Sequence, residues 1–171
     1  MKNIVKTIMV ILIFIISVLL QVFVINKTSL FDVKPNMLLV SIILVSMFTN
    51  IYSCSIYSFI LGFVADLVFG TSGIYTLSYS IIGALLGFVS DNYMKGNILS
   101  EILMTIGSVT VFEIIEYVHA IVIKKAIAGI FLLVGKIILG ILLNVVIVIV
   151  LSFIIEKIIK LIDKKEDKIY W

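Results

Sequence analysis

The chain has 171 residues, of which 63% are apolar and 13% are charged, and its mean hydropathy is +1.32. Soluble globular domains carry about 45–50% apolar and about 25% charged residues, so a water-soluble fold of this size could not bury so much apolar surface. The net charge of +3 comes from lysine alone, and the single cysteine, Cys54, excludes a disulfide framework. The composition therefore predicts an integral membrane protein.

The first apolar run, residues 7–26, is long enough to span a bilayer and follows Lys2 and Lys6. No small-residue cleavage site follows it, so we expect an uncleaved first span. The next charge-free run, residues 35–65, would form one helix of about 46 Å, which exceeds a hydrocarbon core of roughly 30 Å. The polar cluster at residues 49–53 favours a turn and two short spans, 36–49 and 53–69. One long tilted helix is the alternative.

The second half of the chain continues the pattern. The segment Gly70-Thr71-Ser72-Gly73 predicts a tight turn before a span over residues 74–90. Residues 91–97 form a polar loop, and Lys124-Lys125 separates spans predicted at 98–123 and 126–155. Residues 156–171 form a charged tail. The predicted fold is an all-α, six-helix transmembrane bundle in one domain, residues 1–171.

The distribution of lysines predicts the orientation of this bundle. With six spans, both termini lie on the same side of the membrane. That side carries eight lysines and the opposite side carries four, in the loops around residues 27–34 and 124–125. Because cytoplasmic loops are enriched in positive charge, we expect both termini in the cytoplasm and the chain in the bacterial cytoplasmic (inner) membrane.

Ionisable residues within the predicted spans need an explanation, because charged groups in a bilayer are energetically costly. They are Asp66, Glu113, Glu116 and Lys136, joined by the polar residues His119, Gln21 and Asn144. Glu113 and Lys136 each lie ten residues from the ends of the two spans joined by Lys124-Lys125, about 15 Å deep. This spacing predicts an ion pair between antiparallel neighbours that locks the helices together. A polar pocket in the outer half of the bundle is the alternative, whereas the few polar residues of the inner half argue against a pump.

Small residues recur every four positions along the third predicted span, at Cys54, Ser58, Gly62, Asp66 and Gly70. The fourth span carries two matching pairs, Ser80 with Ala84 and Gly83 with Gly87. Because small residues at this spacing let helix backbones approach closely in lipid, we expect the third and fourth spans to pack tightly.

The sequence predicts no enzyme, no cofactor and no metal site. It contains no phosphate-binding glycine loop, no nucleophile elbow and no HExxH motif. Glu116 and His119 have a spacing that a metal could use, but no other ligand clusters with the single histidine. A basic patch with interleaved aromatic residues is also absent, so nucleic acid is not an expected partner.

Two segments resemble the bacterial rod-shape protein family MreD. Residues 32–40, Asp-Val-Lys-Pro-Asn-Met-Leu-Leu-Val, resemble the entry of that family to its second span. Residues 62–70, followed by Gly73-Ile74-Tyr75 and Gly83, resemble its glycine-rich stretch with a central aspartate. The resemblance covers roughly residues 30–90. Together with the packing and charge patterns, it selects the candidate interaction residues Pro35, Asn36, Gly62, Asp66, Gly70, Gly73, Tyr75, Gly83, Gly87, Glu113, Glu116 and Lys136.

The resemblance implies a non-enzymatic scaffold that partners an MreC-like bitopic membrane protein and regulates peptidoglycan synthesis during cell elongation. MreB filaments, a RodA-type glycosyltransferase and a class B penicillin-binding protein are further implied partners. Proteins of this family are also similar in fold to the substrate-binding subunits of energy-coupling-factor transporters. A small-ligand-binding transporter subunit is therefore the alternative function. Its weakness is aromatic content: a vitamin site would be expected to have stacked tryptophans or tyrosines in the outer loops, yet the single Trp, Trp171, lies at the predicted cytoplasmic end.

Overall fold

The computed structural model of the chain describes residues 2–23, 34–93, 98–123 and 130–166. This part of the chain is all-α, which confirms the predicted all-helical class. Its six helices are α1 (Lys2–Phe23), α2 (Met37–Phe48), α3 (Ile51–Phe69), α4 (Ile74–Tyr93), α5 (Ile98–Val122) and α6 (Ile130–Glu166). The predicted Lys124-Lys125 turn lies outside the described residues, as do most of the loop around residues 27–34, residues 94–97 and the end of the tail.

The charge-free run after Pro35 forms two helices, α2 and α3, and not one long tilted helix. The chain breaks at the polar cluster, where the side chain of Asn50 caps α3 by accepting a hydrogen bond of 3.0 Å from the Ser53 backbone N–H. Further from the break, the Tyr57 hydroxyl donates to the Ser41 hydroxyl at 2.9 Å. Because these residues are nearly equidistant from Asn50, α2 and α3 run antiparallel.

Helix α2 is the buried centre of the bundle. Ten consecutive residues, Met37 to Ser46, are buried, and α2 contacts each of the other five helices. With 12 residues it is about 18 Å long, which is shorter than the hydrocarbon core of roughly 30 Å. The second predicted span is therefore a short core helix, apolar on all sides because protein surrounds it.

Four helices, α3 to α6, are long and apolar enough to cross a membrane. Helix α1 adds a shorter apolar stretch, Thr7–Phe23. Large apolar side chains are exposed along the outer faces of the bundle, among them Ile11, Ile15 and Leu19 of α1, Phe59 and Phe63 of α3, and Leu142 and Val146 of α6. Exposed apolar faces of this extent are favourable in contact with lipid and unfavourable in contact with water. Together with the span-like helices, they show that the chain is a membrane protein.

Helix α6 continues beyond the predicted sixth span, 126–155. It has 37 residues and is about 55 Å long, so it extends well past a hydrocarbon core of roughly 30 Å. The span-like segment ends near Ile155, and the helix then continues to Glu166 through the charged part of the sequence. The predicted tail thus begins as a continuation of α6.

Helices α3 and α4 pack in close backbone contact, as their small residues predict. A Cβ atom added to Gly62 would lie 2.6 Å from the Tyr75 carbonyl oxygen and 2.7 Å from the Thr76 Cα. At Gly83 it would lie 1.8 Å from the Ser58 hydroxyl oxygen, and at Gly87 2.8 Å from the Ile51 Cα. No side chain fits at these three positions without moving the neighbouring helix.

The turn between α3 and α4 depends on two glycines and one carboxylate. Gly70 and Gly73 adopt positive φ angles of 64° and 86°, which residues other than glycine rarely adopt. The carboxylate of Asp66 accepts hydrogen bonds from the backbone N–H groups of Tyr75 at 3.1 Å and Thr76 at 2.8 Å, in the first turn of α4. The hydroxyl groups of Thr71 and Thr76 donate to the same carboxylate.

Candidate functional site

A cavity of about 210 Å³ lies where α2 begins, between α1, α4, α5 and α6. Its charged lining residues are Lys34, Glu113, Glu116 and Lys136, and its amide-bearing lining residues are Gln21, Asn36 and Asn144. The wall also contains four aromatic residues: Phe69, Tyr75, Tyr79 and Phe112. The cavity lies in the half of the bundle where the α3–α4 turn is found, opposite to the start of α1 and the end of α6.

Three amide side chains hold the first turn of α2. The Asn144 side-chain oxygen accepts a hydrogen bond of 2.9 Å from the Asn36 backbone N–H, and the Gln21 side-chain oxygen accepts one of 2.7 Å from the Met37 backbone N–H. Asn36 caps the helix by accepting from the Leu39 backbone N–H at 3.0 Å. The first N–H groups of a helix have no partner within the helix, and lipid offers none, so these side chains satisfy them.

Tyr79 connects α4 to the N-terminus of α2. It is 0% exposed, and its hydroxyl donates a hydrogen bond of 2.9 Å to the side-chain oxygen of Asn36. Asn144 is 2% exposed, and its amide nitrogen donates to the Gly140 carbonyl oxygen at 2.8 Å, which fixes the orientation of the amide. Helices α1, α4 and α6 are thereby joined at the N-terminus of α2.

The packing of α5 against α6 fixes the level of the charged residues. A Cβ atom added to Gly140 would lie 3.3 Å from Val109 Cγ1 and 3.9 Å from Glu113 Oε1. Lys136 lies one helical turn before Gly140, and Glu113 lies one turn after Val109 on the antiparallel helix. Glu113 and Lys136 therefore lie at the same level and line the same cavity, as their predicted depths require. Their pairing as an ion pair stays a prediction.

The aromatic residues form a continuous cluster beside the charges. The ring centroids of Tyr75 lie 5.5 Å from Tyr79, 5.7 Å from Phe112 and 5.4 Å from Phe69. Tyr79 and Phe112 are also 5.7 Å apart. The sequence argument against a ligand concerned tryptophans or tyrosines in the outer loops, whereas these four rings are carried by helices α3, α4 and α5.

The structure divides the candidate residues into two groups. Pro35, Asn36, Tyr75, Glu113, Glu116 and Lys136 line the cavity, whereas Gly62, Asp66, Gly70, Gly73, Gly83 and Gly87 shape the α3–α4 unit. Asp66 differs from the other ionisable residues because its carboxylate accepts three hydrogen bonds from the first turn of α4 and one from Thr71 in the preceding turn.

Ten lining residues were not among the candidates: Gln21, Lys34, Leu38, Leu39, Phe69, Tyr79, Val109, Phe112, Gly140 and Asn144. The polarity of Gln21 and Asn144 within predicted spans is the signal that could have selected them. The sequence gives no comparable signal for Phe112, because aromatic residues are common in membrane helices.

Comparison with known proteins identifies the family. Residues 1–162 match the family model described as rod shape-determining protein MreD. No curated protein and no solved structure matches the chain significantly.

Proposed function

Since the chain belongs to the MreD family of rod shape-determining proteins, we propose that it is a non-catalytic membrane scaffold of the cell-elongation machinery. In this role it partners an MreC-like bitopic membrane protein and regulates peptidoglycan synthesis. MreB filaments, a RodA-type glycosyltransferase and a class B penicillin-binding protein are the proposed members of the larger assembly. The observation that carries this proposal is the family match over 162 of the 171 residues.

The internal contacts support a structural role for the most unusual polar residues. Asp66 holds the start of α4, and Gln21, Asn36 and Asn144 hold the start of α2. Each of these side chains binds a backbone group, which is how a membrane bundle stabilises an internal helix end. A bundle with extensive exposed apolar faces is suited to packing against the spans of other membrane proteins.

We place the chain in the bacterial cytoplasmic membrane with both termini in the cytoplasm. The eight lysines on the side of the termini, against four on the opposite side, support this orientation. The polar cavity then lies in the outer half of the bundle.

Co-purification from native membranes tests the scaffold function. The tagged chain is solubilised in a mild detergent and the proteins bound to it are identified by mass spectrometry. We expect an MreC-like bitopic protein, and we expect less of it with Gly62→Leu than with the matched variant Gly107→Leu. A Cβ at Gly107 would meet nothing within 4 Å, so this second variant controls for the added side chain. Recovery of no protein of the elongation machinery would contradict the proposal.

The second candidate is a small-ligand-binding membrane subunit of an energy-coupling-factor type transporter. The polar, partly aromatic cavity beside α2 favours it. The same co-purification separates the two functions, because a transporter subunit would recover an ATPase pair with a coupling protein.

A further inference from the structure

The cavity beside α2 contains charges of both signs within one small volume. Lys136 of α6 and Glu113 of α5 line it at the same level, and Glu116 lies one turn further along α5. Charged side chains in a membrane span are costly and mark functional sites unless they serve only helix packing. The backbone N–H groups at the start of α2 donate to the side chains of Gln21 and Asn144, and those at the start of α4 donate to Asp66. The charged residues of the cavity are therefore not needed as acceptors for these helix ends.

The aromatic cluster adds a third type of interaction. Tyr75 and Phe112 line the cavity together with Glu113 and Glu116. A cationic group bound near these carboxylates would also lie close to aromatic rings, whose faces attract cations. An anionic group bound at the level of Glu113 would have Lys136 as its partner, and Lys34 lines the same cavity.

We infer that this cavity is a binding site for a small zwitterionic group, with an ammonium held by Glu113 and Glu116 and an anionic group held by Lys136. Its volume of about 210 Å³ corresponds to roughly seven water molecules at about 30 Å³ each, which is enough for a group the size of glycine or phosphoethanolamine. The source of the group is either a free amino-acid-like molecule or the headgroup of an aminophospholipid. The site does not depend on the scaffold function, since a scaffold and a transporter subunit could each bind such a group.

The test uses the full chain and probes of defined charge. The purified protein in a non-ionic detergent is heated with glycine or phosphoethanolamine, and separately with ethanolamine, acetate or inorganic phosphate at the same concentration. A ligand that binds the folded state raises the unfolding temperature. We expect glycine and phosphoethanolamine to raise the unfolding temperature. Ethanolamine, acetate and phosphate, which carry only one of the two charged groups, should have little effect. A response to acetate or ethanolamine equal to that of the zwitterions would overturn the inference.

A second arm identifies the source. The chain is reconstituted in nanodiscs of phosphatidylglycerol with and without phosphatidylethanolamine, and lipids retained after extraction are measured by native mass spectrometry. Selective retention of phosphatidylethanolamine identifies a lipid headgroup, and stabilisation by free glycine alone identifies a soluble zwitterion. Absence of both responses would reject the site.

Variants locate the response in the cavity. Glu113→Gln and Lys136→Met each remove one charge at nearly constant side-chain volume, and each should weaken probe binding by about tenfold or more. The matched controls are Glu101→Gln, about 18 Å away on the same helix, and Lys157→Met on α6, neither of which lines the cavity. Unchanged binding in both cavity variants would overturn the assignment. The comparison of probes on the unsubstituted chain remains decisive if a variant fails to fold.

Discussion

The hydroxyl of Tyr79 donates a hydrogen bond of 2.9 Å to the side-chain oxygen of Asn36, which joins α4 to the first turn of α2 across 43 positions of sequence. Asn36 uses the same oxygen to cap α2 through the Leu39 N–H group. One amide thus orients the central helix and ties it to a neighbour.

Removal of this hydroxyl tests its contribution. Tyr79→Phe keeps the buried ring and loses one hydrogen bond, so we expect the free energy of unfolding to fall by about 1 kcal/mol. Denaturant titration in detergent micelles measures the change. Tyr52→Phe is the matched control, because Tyr52 is 78% exposed. Equal effects of the two substitutions would show that the Tyr79 hydrogen bond contributes nothing specific.

The close contact of α3 and α4 predicts strong sensitivity at Gly62. Gly62→Ala places a Cβ against the Tyr75 and Thr76 backbone, and overpacking of this kind costs roughly 1–3 kcal/mol. Gly107→Ala on α5 adds the same methyl group in open space and should be neutral or slightly stabilising. Membrane abundance and thermal stability of the two variants measure the difference. Gly62→Leu and Gly83→Leu should lower abundance further and fail to restore rod shape in cells that lack the protein.

The four hydrogen bonds to Asp66 predict a large effect of a nearly isosteric change. Asp66→Asn replaces one acceptor oxygen by a donor, which then faces either the Tyr75 N–H and the Thr71 hydroxyl or the Thr76 N–H and hydroxyl. We expect a loss of about 1–3 kcal/mol of stability, since buried groups are left without partners. Ser72→Ala, at an exposed position of the same turn, should change little. Stability of Asp66→Asn equal to that of the unsubstituted chain would exclude the carboxylate as the organiser of the turn.

Pairing of Glu113 with Lys136 is testable by a double-mutant cycle. Each single substitution, Glu113→Leu or Lys136→Met, leaves one charge uncompensated in the bundle and should cost about 3 kcal/mol. The double variant should recover much of the folded protein, as measured by size-exclusion chromatography of a fluorescent fusion. A double variant as poor as the sum of the singles would mean that the two groups do not pair. Glu116, which lines the same cavity, would then be the better partner for Lys136.

Reporter fusions test the orientation. Fusions at residues 30, 72 and 125 should report the outside of the cytoplasmic membrane, and fusions at 95 and 171 should report the cytoplasm, because the lysine distribution favours cytoplasmic termini. A cytoplasmic signal at 72 with an external signal at 95 would reverse the arrangement.

The sequence by itself determined the membrane location, the helical class and most of the helix boundaries. These follow from local properties: the lengths of charge-free runs, the turn signal at Gly70 and Gly73, and the break at Asn50. The close packing of α3 on α4 could also be predicted from the sequence, because small residues at four-residue spacing lie on one face of a helix.

Tertiary structure decided that α2 is a short, central helix and not a span exposed to lipid, because an apolar run has the same composition whether protein or lipid surrounds it. It also decided which polar residues meet. Gln21, Asn36, Tyr79 and Asn144 come from four helices and converge at one helix end, and no spacing along the chain encodes that convergence. Asp66 and Glu113 are alike as acidic residues within apolar spans, yet one caps a helix and the other lines a cavity, since only packing determines which groups each carboxylate can reach.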